Sequence, residues 1–136
     1  MFTAFDVSTS GMEAQRARLN AISSNIANMS TTRNERGEAV PYAPKYVTFQ
    51  TNESIATAGG GVGVKIGSVE QSKEPPRMKY EPGHPDADER GFVAYPNVDM
   101  TLEFVDALEA TRAYEANIGV LEVTKDMGRR TLQILA

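Results

Sequence analysis

The stretch that decides the fold is PNVDMTLEFVDALEATRAYEANIGVLEVTKDMGRRTLQILA, residues 96–136. After its first residue it contains no proline, and its only glycines are Gly119 and Gly128. Its apolar residues recur at the three- and four-residue spacing of an α-helix, which predicts one helix over residues 99–135. At the usual rise such a helix is about 55 Å long. The rest of the chain is too small to bury it.

The predicted helix carries two neighbouring apolar stripes. Two stripes make a face that is wider than a two-stranded coiled coil needs, so we expect neighbours on more than one side of the helix. The first stripe follows an a/d heptad repeat and consists of Phe104, Ala107, Thr111, Tyr114, Ile118, Leu121, Lys125, Gly128, Leu132 and Leu135. The second stripe consists of Ala113, Val120, Met127 and Ile134.

The ends of this helix are marked by their charges. Asn97 or Asp99 can cap the first turn, because a short polar side chain accepts hydrogen bonds from free backbone amides there. Acidic residues crowd the amino end, and Lys125, Arg129 and Arg130 crowd the carboxyl end. This arrangement complements the helix dipole and supports the predicted boundaries.

A second heptad pattern predicts a helix over residues 3–30. Its d positions become apolar only in the second half, and a capping box formed by Ser10 and Glu13 would make the first turns fray or start late. The a positions are Phe5, Met12, Leu19 and Ile26, and the d positions are Ser8, Gln15, Ile22 and Met29.

Two polar features have alternative interpretations. The run from Ser23 to Asn28, which includes Asn25, is either a fraying helix end or a surface that approaches another helix closely and hydrogen-bonds to it. Asn117, beside the first stripe, either sets the register of the helices, as a buried asparagine does in coiled coils, or is solvated.

Between the helices the sequence changes character, since all seven prolines lie in residues 41–96. Short runs rich in β-formers predict strands near residues 45–50, 62–66 and 77–80, and a further segment at 91–95 leads into the long helix. We therefore expect a small β-rich or extended insert at residues 33–96.

The predicted architecture is mainly α with a small β-rich insert. Residues 1–32 and 97–136 form the terminal-helix domain, and residues 33–96 form the insert. The simplest packing places the terminal helices against each other as an antiparallel coiled coil. Apolar surface is then left over for other subunits, which predicts a ring or a helical tube if the contacts are head-to-tail.

Composition excludes several classes of protein. The chain has no cysteine, so a disulfide framework and a cysteine-based zinc site are impossible. The net charge is −4 and basic residues do not cluster, which argues against nucleic acid as a partner. The sequence lacks an apolar run of about 20 residues, and its start does not resemble a secretory signal peptide. We therefore expect no direct membrane insertion.

Three local motifs invite a ligand or catalytic interpretation, and each fails on spacing. The glycines of residues 59–67 lack the Gly-Lys-Ser/Thr ending of a phosphate-binding loop. His84 lies among carboxylates in a loop where solvation is the ordinary state, and the segment beginning at Asp86 departs from an EF-hand loop at Arg90 and Asn97. With one histidine and no cysteine, no nucleophile has a visible base partner. We predict no enzyme activity, no cofactor and no metal.

Several segments resemble the bacterial flagellar axial proteins of rod and hook. The amino-terminal run ISSNIANMSTT, residues 22–32, is similar to the signature of that group. YEPGHPDAD at residues 80–88, YPNV at 95–98 and ATRAYEAN at 110–117 resemble, more selectively, the short basal-body rod proteins of the proximal rod. Phe104 departs from the pattern, because methionine is common at that position.

The resemblance implies a structural subunit of the flagellar basal-body proximal rod. It implies that terminal helices of many copies form an inner tube that transmits torque, and that the insert lies outside it. The implied partners are other copies of the chain, other rod proteins, the rod adaptor, the membrane ring protein and the type III export apparatus. The implied location is the periplasmic rod, reached without a cleaved signal peptide.

This interpretation turns the polar run at residues 23–28 into a subunit surface. The alternatives are another rod subunit, and a soluble coiled-coil adaptor, which the cellular location would distinguish. The residues predicted to form subunit interfaces are Phe5, Met12, Leu19, Ile22, Asn25, Ile26, Asn28, Phe104, Tyr114, Asn117, Ile118, Leu121, Gly128, Leu132 and Leu135.

Overall fold

The computed structural model describes residues 2–136 and consists of two long terminal helices joined by a small antiparallel β insert. Helix α1 spans Phe2–Ala27 and helix α2 spans Met100–Leu135. Four strands lie between them: β1 at Lys45–Ala56, β2 at Val62–Gln71, β3 at Arg77–Tyr80 and β4 at Phe92–Tyr95. The mainly α class with a β insert is confirmed.

Helix α2 begins where the sequence predicts. Asp99 is its N-cap, and its carboxylate accepts hydrogen bonds from the backbone amides of Thr101 at 2.9 Å and Leu102 at 3.3 Å. These bonds satisfy amides that have no partner within the helix, which is why the chain turns helical at this point.

Helix α1 begins earlier than the capping motif suggests, so the expectation of a late or frayed start at Ser10 and Glu13 was wrong. Ser10 lies inside the helix, where its hydroxyl donates to the Val7 carbonyl at 2.7 Å and accepts from the Val64 amide at 3.1 Å. The second bond ties the helix to β2. Tertiary contact therefore determines the role of Ser10.

Strands β1 and β2 form a long antiparallel hairpin that packs on α1. Val47 pairs with Val69 and Phe49 pairs with Ile66, and the register shifts after Thr48. A two-stranded hairpin is marginal by itself in water, so the contact with α1 supports it.

Strands β3 and β4 form a second antiparallel pair at the base of α2. Tyr80 and Phe92 pair across it with their rings 5.3 Å apart in an edge-on arrangement. Val93, Pro96 and Val98 are buried where β4 leads into α2. This small core fixes the direction in which the long helix leaves the insert.

The two helices run in opposite directions. Asn25 of α1 contacts Glu103, Arg18 contacts Asp106, and Gly11 lies against Asn117, so residue numbers rise along one helix as they fall along the other. The carboxyl end of α2 is largely exposed, since Leu132 is 69%, Ile134 84% and Leu135 78% exposed.

Candidate functional site

Asn25 is the centre of the most buried polar cluster in the described chain. Its side chain is fully buried. Its amide nitrogen donates to the Lys45 carbonyl at 2.9 Å and to Oε1 of Glu103 at 3.1 Å. Its amide oxygen accepts from the Lys45 backbone N–H at 2.8 Å and from the Tyr42 hydroxyl at 3.1 Å. A single side chain thus joins α1, the start of β1 and α2 with both donors and its acceptor in use.

These bonds decide between the two interpretations of residues 23–28. The run belongs to the helix through Ala27 and hydrogen-bonds closely to another helix, but that helix is α2 of the same chain. Asn25 therefore uses its side-chain hydrogen bonds within the chain, and its place in a subunit interface stays a prediction. Ser23 and Ile26 keep exposed surface on the same turn.

Glu103 is a partner of Asn25 that sequence reasoning missed. It is 6% exposed, and burial raises the pKa of its carboxyl group. The hydrogen bond from Asn25 acts against this rise, and the nearby Asp106 carboxylate adds to it. In the sequence Glu103 belongs to the acidic first turns of a helix, and nothing there distinguishes it from a solvated acid.

Small residues allow the helices to approach closely. Ala14 is 2% exposed and Ala110 is 0% exposed at the contact. A β-carbon built on Gly11 would lie 3.0 Å from the side-chain amide of Asn117. That amide donates to the Ala113 carbonyl at 2.9 Å, so Asn117 lies against α1 rather than in solvent. The packing is therefore based on small and polar groups.

The predicted a positions of the two helices do not face each other within the chain, and their place in a subunit interface stays a prediction. On α2 the residues that face α1 are Glu103, Ala110 and Asn117, whereas Phe104 is 54% and Ile118 is 38% exposed. On α1 the facing residues are Gly11, Arg18 and Asn25, and the residues that follow them are half-buried: Met12, Leu19 and Ile26.

Size alone was used to choose the predicted seam, whereas the contact between α1 and α2 within the chain involves other residues. Large apolar residues do form heptads, but close contact between these helices selects small and polar residues, and the large ones flank the contact. The predicted d positions Tyr114 and Leu121 are half-buried, and Ile22 is buried.

An ion pair closes one side of the helix contact. Arg18 lies 3.3 Å from Asp106 and 3.2 Å from Glu109, with its side chain 30% exposed. Pairs this open contribute little to stability, typically below about 1 kcal/mol. The pairs instead help to set the axial register of the two helices, because they join fixed positions on each.

Much of the apolar surface of α2 has no partner within the chain. The exposed large apolar residues of α2 are Met100, Leu102, Phe104, Val105, Leu108, Ile118, Val120, Val123, Met127, Leu132, Ile134 and Leu135. They include three of the four residues of the second predicted stripe. An apolar surface of this extent marks an interaction site.

The total surface supports the same conclusion. The solvent-accessible area is 9511 Å². A compact monomer of 14.8 kDa is expected to expose about 7,000 Å². The excess of about 2,500 Å² is larger than the roughly 800 Å² that one partner buries in a standard protein–protein interface.

A polar latch fastens the segment after α1 to the loop between β3 and β4. Asp86 accepts hydrogen bonds from the Thr32 hydroxyl at 2.8 Å and from Nε of Arg33 at 2.7 Å. The bond from Thr32 is the main cause of a lowered pKa at Asp86, and the bond and charge of Arg33 lower it further against the effect of burial. His84 supports the loop, because its Nδ1 accepts from the Asp86 amide at 3.0 Å.

Next to the latch, the Glu81 side chain connects those of Tyr95 and Lys79. It accepts from the Tyr95 hydroxyl at 2.7 Å and pairs with Lys79 at 2.6 Å. The bond from Lys79 is the main cause of the lowered pKa of Glu81, and the bond from Tyr95 is the second. His84 and its carboxylate neighbours thus have structural partners.

Residues 2–136 contain no cluster of histidine, aspartate and glutamate side chains that could hold a metal ion. Within the same residues, neither helix is both long and apolar enough to span a bilayer. The features of this molecule that call for a partner are its exposed helix faces.

Comparisons with known proteins show which family the chain resembles. A family model described as "Flagella basal body rod protein" matches residues 5–33, and one described as "Flagellar basal body rod FlgEFG protein C-terminal" matches residues 89–134. The two matched segments cover most of α1 and most of α2, the helices that meet at Asn25 and Glu103.

Several curated proteins are similar over nearly the whole chain, and each is named flagellar basal-body rod protein FlgC. The protein of Escherichia coli O157:H7 is 42% identical over 130 residues, which cover 96% of this chain and 94% of that protein. The Bacillus subtilis protein is 39% identical, with 98% and 97% covered. The Borreliella burgdorferi protein is 38% identical, with 99% and 97% covered.

Proposed function

Because the chain belongs to the FlgC family of flagellar basal-body rod proteins and is a structural subunit of the basal-body rod, we propose that it polymerises through its two terminal helices. In this proposal α1 and α2 of many copies pack as coiled coils into a helical tube that transmits torque. The insert at residues 33–96 lies outside the tube. The family is one of structural proteins rather than enzymes.

The observation that carries the proposal is the exposed apolar surface of α2. Leu102, Val120, Val123 and Met127 are each at least half exposed in the single chain. Water contact with such side chains costs roughly 1.5–3 kcal/mol for each one that a neighbour could bury. Packing of neighbouring copies removes this cost by burying these side chains, which the single chain cannot do by itself.

We propose the remaining partners from the family. They are other rod proteins, the rod adaptor, the membrane ring protein and the type III export apparatus, which delivers the chain to the periplasmic rod without a cleaved signal peptide. The rival interpretation as a coiled-coil adaptor is disfavoured, because the relatives over the full chain are rod proteins.

The proposal is tested by a charge on the exposed surface of α2. Val123 is 61% exposed, so Val123→Lys leaves the isolated chain folded, with a change in unfolding free energy within about 0.5 kcal/mol. In cells whose only copy carries this change, we expect normal expression but no incorporation into basal bodies and no swimming.

Asp126→Lys is the matched control, because it places the same charge on an exposed polar position of α2. Cells with this variant should swim. Normal basal bodies and swimming in the Val123→Lys cells would contradict polymerisation through this surface.

A further inference from the structure

Two sets of exposed apolar residues lie on different sides of the contact between α1 and α2. Phe104 and Ile118 directly follow the α1-facing residues Glu103 and Asn117. Leu102 directly precedes Glu103. Each residue turns a helix by about 100°, so the following and preceding residues point away from the contact in opposite directions.

Helix α1 adds to the first set. Met12, Leu19 and Ile26 directly follow residues that face α2. In an antiparallel helix pair, the residues that directly follow the contact residues lie on the same side of the pair on both helices. Met12 and Tyr114 accordingly line one cavity of about 200 Å³ between the helices.

The molecule therefore has two distinct apolar faces. The groove face lies between the helices and consists of Phe5, Met12, Leu19, Ile26, Phe104 and Ile118. The ridge face lies on α2 alone and consists of Leu102, Val120, Val123, Met127 and Ile134. The four α1 residues of the groove face are half-buried, and its two α2 residues, Phe104 and Ile118, are 54% and 38% exposed. The residues of the ridge face are 51–84% exposed.

We propose that the ridge face of one copy packs into the groove face of the next copy; this rests on the proposed polymerisation and specifies its contact. A single helix fits between two helices, as ridges fit grooves in helix packing. In the proposed contact the ridge of one copy meets the groove of the next copy, whose own ridge stays free, so the contact is heterologous. Each added copy then leaves one free groove and one free ridge, and growth continues.

The exposed area is sufficient for both faces. Two standard interfaces bury about 1,600 Å² on one copy. The excess of about 2,500 Å² over a compact monomer of this mass accommodates both. A self-complementary dimer that paired ridge with groove in both directions would leave no face free for growth and would give no ladder of higher species on cross-linking.

Cysteine cross-linking tests the pairing directly, because the chain has no cysteine of its own. Two differently tagged copies are expressed together in flagellated cells that lack the natural copy. One carries Ile118→Cys on the groove face, and the other carries Val120→Cys, Val123→Cys or Met127→Cys on the ridge face. Basal bodies are isolated after mild oxidation and examined without reducing agent.

We expect a dimer with both tags from at least one groove–ridge pair and a ladder of higher species when both cysteines are in one chain. Each single variant expressed alone should give no dimer, and neither should Ile118→Cys with Asp126→Cys, which lies between the two faces. A dimer from Ile118→Cys alone, or the absence of dimers from all three pairs in basal bodies that contain the chain, would overturn the pairing. Absence of the chain from basal bodies would instead overturn the proposed function itself.

Discussion

The side-chain amide of Asn25 lies 3.1 Å from the carboxylate of Glu103, and this bond joins the two ends of the chain inside a buried contact. The residues are 78 positions apart in sequence. The same amide holds both backbone groups of Lys45, so the first strand is fixed at the point where the helices meet. The Asn25 side chain therefore connects the two terminal helices and the start of β1.

Asn25→Asp should destabilise the fold strongly at neutral pH. The new carboxylate cannot donate to Glu103 or to the Lys45 carbonyl, and it places a second negative charge beside Glu103. We expect a loss of about 3 kcal/mol in the unfolding free energy, measured by urea denaturation. Part of the loss should be recovered at pH 5, because either carboxyl group can donate once it is protonated.

The control for that change is Ser23→Asp, on an exposed position of the same helix turn. It should alter stability little at either pH. An equal loss for Asn25→Asp at both pH values would contradict the assigned hydrogen bonds.

Glu103 should make stability fall as pH rises. Burial raises its pKa in the folded state, so the folded chain binds this proton more tightly than the unfolded chain does. The stability that this raised pKa contributes is fully present below the ordinary carboxyl pKa, and it is lost as pH rises through the raised pKa of the folded chain. Glu103→Gln keeps an acceptor for Asn25 and removes the titration.

The measurement is the difference in unfolding free energy between the natural chain and Glu103→Gln across pH 4 to 8. Taking this difference cancels the pH-dependent contributions of Glu81 and Asp86, whose lowered pKa values make stability rise with pH instead. Glu115→Gln, at an exposed site, is the control. If the difference in unfolding free energy does not change with pH, Glu103 has the same pKa in the folded and the unfolded chain.

Gly11 should tolerate no branched side chain. A β-carbon there meets the Asn117 side chain at 3.0 Å, so Gly11→Val forces the helices apart and should cost about 1–3 kcal/mol. Gly119→Ala is the contrasting change, since its added methyl group meets no atom within 4 Å and should stabilise α2 by up to about 1 kcal/mol. Thermal unfolding compares the two, and equal effects would argue against close helix packing at Gly11.

Asp86→Ala should release the segment that follows α1. It removes the acceptor for the Thr32 hydroxyl and for Nε of Arg33, so both hydrogen bonds are lost. Limited trypsin digestion should then cut faster after Arg33, while Glu89→Ala, at an exposed site in the same loop, should not change the rate. Unchanged cleavage in both variants would show that other contacts hold the segment.

The carboxyl end of α2 should gain protection on assembly. Residues 131–135 are exposed in the single chain, and isolated helical turns are marginal in water. We expect fast amide exchange there in the separate chain and slow exchange in isolated rods. Residues 107–117 supply the internal reference and should be protected in both, because α1 covers them. Protection of the end in the separate chain would contradict this expectation.

The sequence predicted those elements whose signals are local. Periodicity and the charge of Asp99 placed α2, and short β-rich runs placed β1, β2 and β3, whereas β4 at Phe92–Tyr95 was expected only as a segment that leads into the helix. The heptad pattern did not identify the residues that meet between α1 and α2, because it weighs size and cannot foresee that Gly11 and Ala110 allow close approach. Glu103, Lys45 and Tyr42 were missed because their roles depend on Asn25, which only the folded chain brings to them.

The two ends of the helix pair differ. At one end α1 and α2 are tied together through Asn25 and Glu103, and at the other Leu132 and Leu135 of α2 are exposed. A unit whose two ends differ in this way cannot be inverted in a stack without changing its contacts. Its shape thus gives an assembly a fixed polarity, with a leading and a trailing end defined before a second copy arrives.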